Sequence, residues 1–69
     1  MQNLITDIMD EDFEMPDTHI ELGALITICM DEYKEMPRFK KSTSSYKRKL
    51  NELIREYNDM RGMVLISLL

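Results

Sequence analysis

An all-α fold is what this chain predicts: a small helical hairpin, completed as a three-helix bundle by a short N-terminal helix and paired as a dimer. Three observations carry that expectation. Two segments of similar length show apolar residues at alternating spacings of four and three, which places them along one side of a helix with about 3.6 residues per turn. Only two glycines and two prolines interrupt 69 residues, and seven methionines within a 43% hydrophobic composition favour helix over sheet. Start and stop signals bracket the first of the two segments.

That first segment spans residues 18–36. Leu22, Ile26, Cys29, Tyr33 and Met36 form its stripe, and Leu25 widens it. Thr18 and Glu21 stand in a T-x-x-E pair, in which the threonine oxygen accepts from an early backbone N–H and the glutamate reaches back. Pro37 stops the helix from the other end. Upstream, Leu4, Ile5, Ile8 and Met9 follow the pattern of a short amphipathic helix over residues 3–9, with Asn3 as its N-cap. Two turns need tertiary support, and the open side of the hairpin is where it is expected to lie.

Between them residues 10–17 form an acidic linker around Phe13, Met15 and Pro16. Asp10, Asp12, Glu14, Thr18 and Glu21 fall at the oxygen-ligand positions of an EF-hand calcium loop, but the position that requires glycine for its sharp turn is Met15. The linker therefore reads as solvated negative charge near the start of the central helix, where the helix dipole favours it. His19 has no second His or Cys nearby and reads as an exposed polar residue, so no metal and no cofactor is expected.

Residues 37–43 are a basic connector, and residues 44–66 form the last helix, starting at Ser44 or Ser45. Tyr46, Leu50, Leu53, Tyr57, Met60 and Val64 make a heptad seam that Ile54 thickens. Gly62 is a C-cap signal. Beyond it six of the seven residues Met63–Leu69 are apolar. A lone strand there leaves its backbone unpaired unless a second chain supplies an edge, so helical continuation past Gly62 is expected.

Charge is polarised. Through Pro37 ten acids face one base, a net of −9; from Arg38 onward eight bases face three acids, a net of +5, within an overall −4. The two halves attract, within one chain or between two, and the linker is expected to face the basic start of the last helix.

No catalytic constellation of nucleophile, base and orienter is present: there is one His and no Gly-rich phosphate loop, and an enzyme is not expected. Cys29 is a lone thiol inside the apolar stripe, which excludes an internal disulfide framework. The N-terminal segment lacks the basic start and continuous apolar core of a signal peptide, and the longest apolar run is too short to span a bilayer, so an intracellular, cytoplasmic protein without membrane contact is expected.

Two function classes follow. The first is a small acidic protein–protein interaction module, an accessory, regulatory or inhibitory protein that acts by occupying a partner surface. It is carried by apolar residues in excess of what three small helices hide: Ile20, Ile28 and Met30 on the central helix, and Leu65, Ile66, Leu68 and Leu69 in the tail. Val64 and Met60 are expected in the core; Leu65, Ile66, Leu68 and Leu69, with Ile28 and Met30, form the expected partner or dimer interface. Methionine adapts to irregular partner surfaces. Short, acidic, methionine-rich chains of this style resemble small accessory or inhibitory proteins of phages and other mobile elements, although no motif names a family. The alternative is nucleic-acid binding through Arg38, Lys40, Lys41, Lys47, Arg48 and Lys49, with Ser44, Ser45 and Tyr46 as phosphate donors. The acidic half, able to neutralise that patch, argues against it.

Overall fold

Two antiparallel helices, α1 (His19–Glu35) and α2 (Tyr46–Arg61), organise the chain. The structure is a computed structural model, and it describes residues 7–38 and 45–69. Among the described residues there is no strand. The expected N-terminal helix over residues 3–9 falls mostly outside them; Asp7 and Ile8 are helical, and the Asp10 N–H donates to the Asp7 carbonyl at 3.2 Å.

α1 begins and ends where its signals stand. Thr18 is the N-cap in extended backbone, and its Oγ1 accepts from the Glu21 N–H at 3.3 Å. Only this half of the expected capping box forms. At the other end the Met36 N–H donates to the Tyr33 carbonyl at 3.1 Å, and Pro37 follows. α2 starts at Ser45, whose carbonyl accepts from the Lys49 N–H at 3.1 Å but whose side chain makes no capping bond.

The hairpin register is legible at its ends. Arg61 Nη1 donates to His19 Nε2 at 2.9 Å. Four residues along α1 and four back along α2, Tyr57 lies over Gly23 so closely that a Cβ there would stand 3.1 Å from its ring. The start of α1 therefore meets the end of α2. Leu22, Ile26 and Cys29 of α1 and Leu50, Leu53 and Ile54 of α2 are fully buried, and Ile8 joins them from the N-terminal segment. Phe13 and Met15 of the linker pack against this core from outside.

The expected seam of α2 holds from Tyr46 through Tyr57 and fails beyond it. On a straight helix a seven-residue repeat drifts by about 20° per heptad. Position 46 to 53 to 60 thus rotates away from α1, while Ile54 rotates in. Ile54 is fully buried and Met60 is 38% exposed. Val64, expected to extend the seam, is not in the helix at all and is 82% exposed.

The helical continuation to residue 66 is corrected as well. α2 stops at Arg61 because Gly62 takes the left-handed conformation at φ 72°. There its N–H donates to the Asp59 carbonyl at 3.2 Å, and the Met63 N–H reaches the Asn58 carbonyl at 3.2 Å. These two bonds are a Schellman motif, which satisfies carbonyls that a longer helix would have used itself. Nothing lies within 4 Å of a Cβ built on Gly62, so Gly62→Ala meets no clash, only backbone strain. We expect it to lower stability by about 1 to 2 kcal/mol in chemical denaturation, with Gly62→Asn between the two. An unchanged midpoint for Gly62→Ala is the result that contradicts this cap.

Candidate interaction surface

Residues 63–69 return along α2 as a strap, held by two asparagine side chains. Asn58 Oδ1 accepts from the backbone N–H groups of Leu65 at 2.9 Å and Ile66 at 3.1 Å, and Asn58 Nδ2 donates to the Ile66 carbonyl at 2.9 Å. One further bond, from the Leu69 N–H to Asn51 Oδ1 at 2.8 Å, holds the end. The dimensions agree: Asn51 and Asn58 are two turns apart, about 10.5 Å along the axis. Three residues of extended chain, from Ile66 to Leu69, span about 10 Å. An amide side chain that both donates and accepts can mimic a neighbouring strand, so the strap has no need of one.

Which side of α2 the strap covers follows from the helix itself. Lys49 and Asn51, two residues apart, point about 200° away from each other. Asn51 and Asn58 face the strap, whereas the Lys49 ammonium lies 5.5 Å from the centre of the Phe13 ring in the linker. The N-terminal segment and the strap therefore cover opposite flanks of α2. The linker does meet the basic start of the last helix, through the Phe13 ring under the Lys49 ammonium.

The six apolar side chains expected at an interface divide evenly. Leu65 and Leu68 are each 47% exposed on the strap, and Ile28 is exposed on α1. Ile66, Leu69 and Met30 pack against the core. Met63 and Val64 complete the outward side, Val64 the most exposed large apolar residue among those described. An open pocket of about 330 Å³ between α2 and the strap is lined by Arg55, Asn58, Asp59, Val64, Ile66 and Leu68. Sequence reasoning missed the two asparagines. Their signal was present: a helix otherwise rich in good formers carries two residues that favour turns, seven apart, ahead of a glycine and an uncharged tail.

Of the basic residues, Arg38, Lys47 and Arg48 are exposed and none forms an ion pair with a described residue. Lys49 is half-buried and occupied: besides Phe13, its Nζ lies 3.4 Å from Glu52 Oε2. Lys40, Lys41 and Ser44 lie outside the described residues. In the linker the Asp12 N–H donates to Asp10 Oδ1 at 2.9 Å, and Thr18 is spent on capping α1, so these oxygens do not converge. Among the described residues no three His, Cys, Asp or Glu side chains gather as a metal site, and no helix is long and apolar enough to cross a membrane.

Cys29 is fully buried. Burial pushes its thiol up from 9.0 to about 11, helped by the carboxylates of Glu32 and Asp7. The thiol is thus held in its protonated, unreactive form. In the unfolded chain it ionises first, so any stability linked to it is present below pH 9 and lost as pH rises toward 11. We expect Cys29→Ser or Cys29→Ala, compared with the parent chain by denaturation across that range, to remove this part of the alkaline loss. Native Cys29 should also be alkylated only as fast as the chain unfolds; rapid labelling under native conditions would contradict its burial.

Comparison with known protein families, with characterised proteins and with solved structures finds no match to this chain.

Proposed function

We propose that this chain is a protein–protein interaction module that works by occupying a partner surface, as an accessory, regulatory or inhibitory protein, with the strap as its contact. One observation supports this above the others. Met63, Val64, Leu65 and Leu68 lie on a segment whose backbone is fixed by Asn51 and Asn58, and all four are exposed. Apolar side chains gathered on an ordered segment lose little entropy on docking, which is what makes such a surface effective. In the same reading the N-terminal segment ending in Ile8 is the third helix of the bundle, the protein acts inside the cell, and a homodimer is among its assemblies.

Photo-crosslinking in the native cell tests the reading. A crosslinker placed at Val64 should capture polypeptide, a second copy or another protein, far more efficiently than one at Glu56, an exposed position on α2. Equal capture at both positions removes the support for the strap as a contact.

The second reading, nucleic-acid binding, is favoured by the exposed Arg38, Lys47 and Arg48, which form no ion pair with a described residue. It is weakened by the engagement of Lys49 within the fold. We expect no shift of duplex DNA at physiological salt; a salt-sensitive shift lost on charge reversal at Lys47 and Arg48 reverses the order of the two readings.

A further inference from the structure

We infer that copies of this chain stack side by side in one orientation, the outward face of α1 in one copy seated on the outward face of α2 and the strap in the next. This rests on the interaction reading above and names its partner as a second copy. On each helix the outward face stands two residues from the buried one, about 200° around the axis. For α1 that step leads from Leu22, Ile26 and Cys29 to Ile20, Ala24, Ile28 and Asp31, with Glu35 one turn further, and all five are exposed. For α2 it leads from Leu50 and Leu53 to Arg48, Glu52 and Arg55, which are exposed as well. The open hollow that Arg55 shares with Asp59, Val64, Ile66 and Leu68 lies on that same outward side.

Both faces are divided in the same way along their length. The bond from Arg61 to His19 sets the start of α1 level with the end of α2. At that end the α1 face is apolar, through Ile20, Ala24 and Ile28, and the α2 face holds the hollow, which at about 330 Å³ has room for an aliphatic side chain. Toward the other end α1 carries Asp31 and Glu35, and the start of α2 carries Lys47 and Arg48. None of these four forms an ion pair with a described residue, whereas Glu52 is already answered by Lys49 at 3.4 Å. Laid on one another in the same orientation, the two faces match at both ends, isoleucine against hollow and carboxylate against guanidinium and ammonium. No face matches its own kind. A two-fold axis along the helices sets Arg48 against Arg48, or Asp31 against Asp31; one across them sets each charged end against an apolar one. The contact of α1 on α2 is therefore heterologous, and because every copy carries one of each face, association does not stop at two.

Sedimentation of the full chain from low to high micromolar concentration tests the stacking, beside two charge-reversed variants. One carries Asp31→Lys with Glu35→Lys on α1; the other carries Lys47→Glu with Arg48→Glu on α2. All four positions are exposed, and each new charge suits the helix end at which it stands, so circular dichroism and urea denaturation should show both variants folded. We expect the parent to grow beyond dimer with concentration and each variant alone to associate at least about tenfold more weakly. An equimolar mixture of the two should regain the association, since the reversed α1 of one then meets the reversed α2 of the other. Net charge does not mimic this result: the α1 variant moves from −4 to 0, which by itself favours association. Ile20→Ser, which trims a side chain that is 74% exposed, should weaken stacking with no change in urea midpoint. Association that is untouched by both reversals, or not regained on mixing, overturns the pairing of α1 with α2. A parent chain that stops at dimer overturns the heterologous contact, and one that stays monomeric overturns the second copy as partner; capture of a different protein at Val64 in the crosslinking experiment would then leave the interaction reading standing alone.

Discussion

Replacing Leu53 with alanine is expected to remove about 2 to 5 kcal/mol of stability, the usual range for a buried leucine truncated in a packed core. A chain of this length has roughly 3 to 10 kcal/mol in total. The variant should therefore be marginal or unfolded at moderate temperature. Leu53 is fully buried between Leu50 and Ile54 on its own helix and the Leu22, Ile26 and Cys29 side chains of α1. With only seven fully buried side chains among the described residues, few neighbours remain to collapse into the space left behind. Val64→Ala is the matched control. Spacing alone places both residues on one seam, but Val64 is 82% exposed, and its truncation should change stability by less than ~0.5 kcal/mol. Urea denaturation of the two variants separates the alternatives. A Leu53→Ala loss below ~0.5 kcal/mol would mean that the buried face of α2 is misassigned.

How far the sequence could be read depended on whether each contact was local. α1 was legible to within one residue at each end, because Thr18 and Pro37 are signals that act within one turn of where they stand. The buried trio of α2, Leu50, Leu53 and Ile54, followed from spacing, as did the separation of opposite charge into two halves that meet where Phe13 underlies Lys49. Legibility failed at two points. A heptad pattern says nothing of how straight its helix is, and on a straight one Met60 turns toward the flank. Spacing alone reads the tail as helix, because pattern offers an extended segment no partner for its backbone. The partner was already in the chain, in two side-chain amides whose sequence distance from Leu65, Ile66 and Leu69 runs from seven to eighteen residues. Pattern reasoning tracks apolar surface well, and it is blind to a polar side chain that stands in for a strand. The candidate surface is half legible in consequence: of the six side chains expected there, Leu65, Leu68 and Ile28 are exposed, and Ile66, Leu69 and Met30 pack against the core.

Asn58→Ala should release the strap. Three bonds end on this one amide: both lone-pair directions of Oδ1 accept, from Leu65 and Ile66, and Nδ2 donates to the Ile66 carbonyl. At about 1 kcal/mol net for each, their loss amounts to roughly 2 to 3 kcal/mol, from which the better helix propensity of alanine returns about 0.5 kcal/mol. The cost has a ceiling, because the strap can lift away and let water satisfy its backbone; what is then lost is the packing of Ile66 and Leu69 against the core. This makes the effect local where that of Leu53→Ala is global. The amide protons of Leu65 and Ile66 should exchange freely in Asn58→Ala, and that of Leu69 should follow although Asn51 is untouched, since one remaining bond does not repay the ordering of seven residues. Asn58→Asp keeps an acceptor for the two N–H groups but turns the donor to Ile66 into a second acceptor facing a carbonyl, so it should fall between alanine and the parent. Hydrogen exchange read by NMR, with urea denaturation beside it, checks all three. Full protection of Leu69 in Asn58→Ala, with stability unchanged, would mean that the strap is held by its apolar side chains alone and that the two asparagines are bystanders.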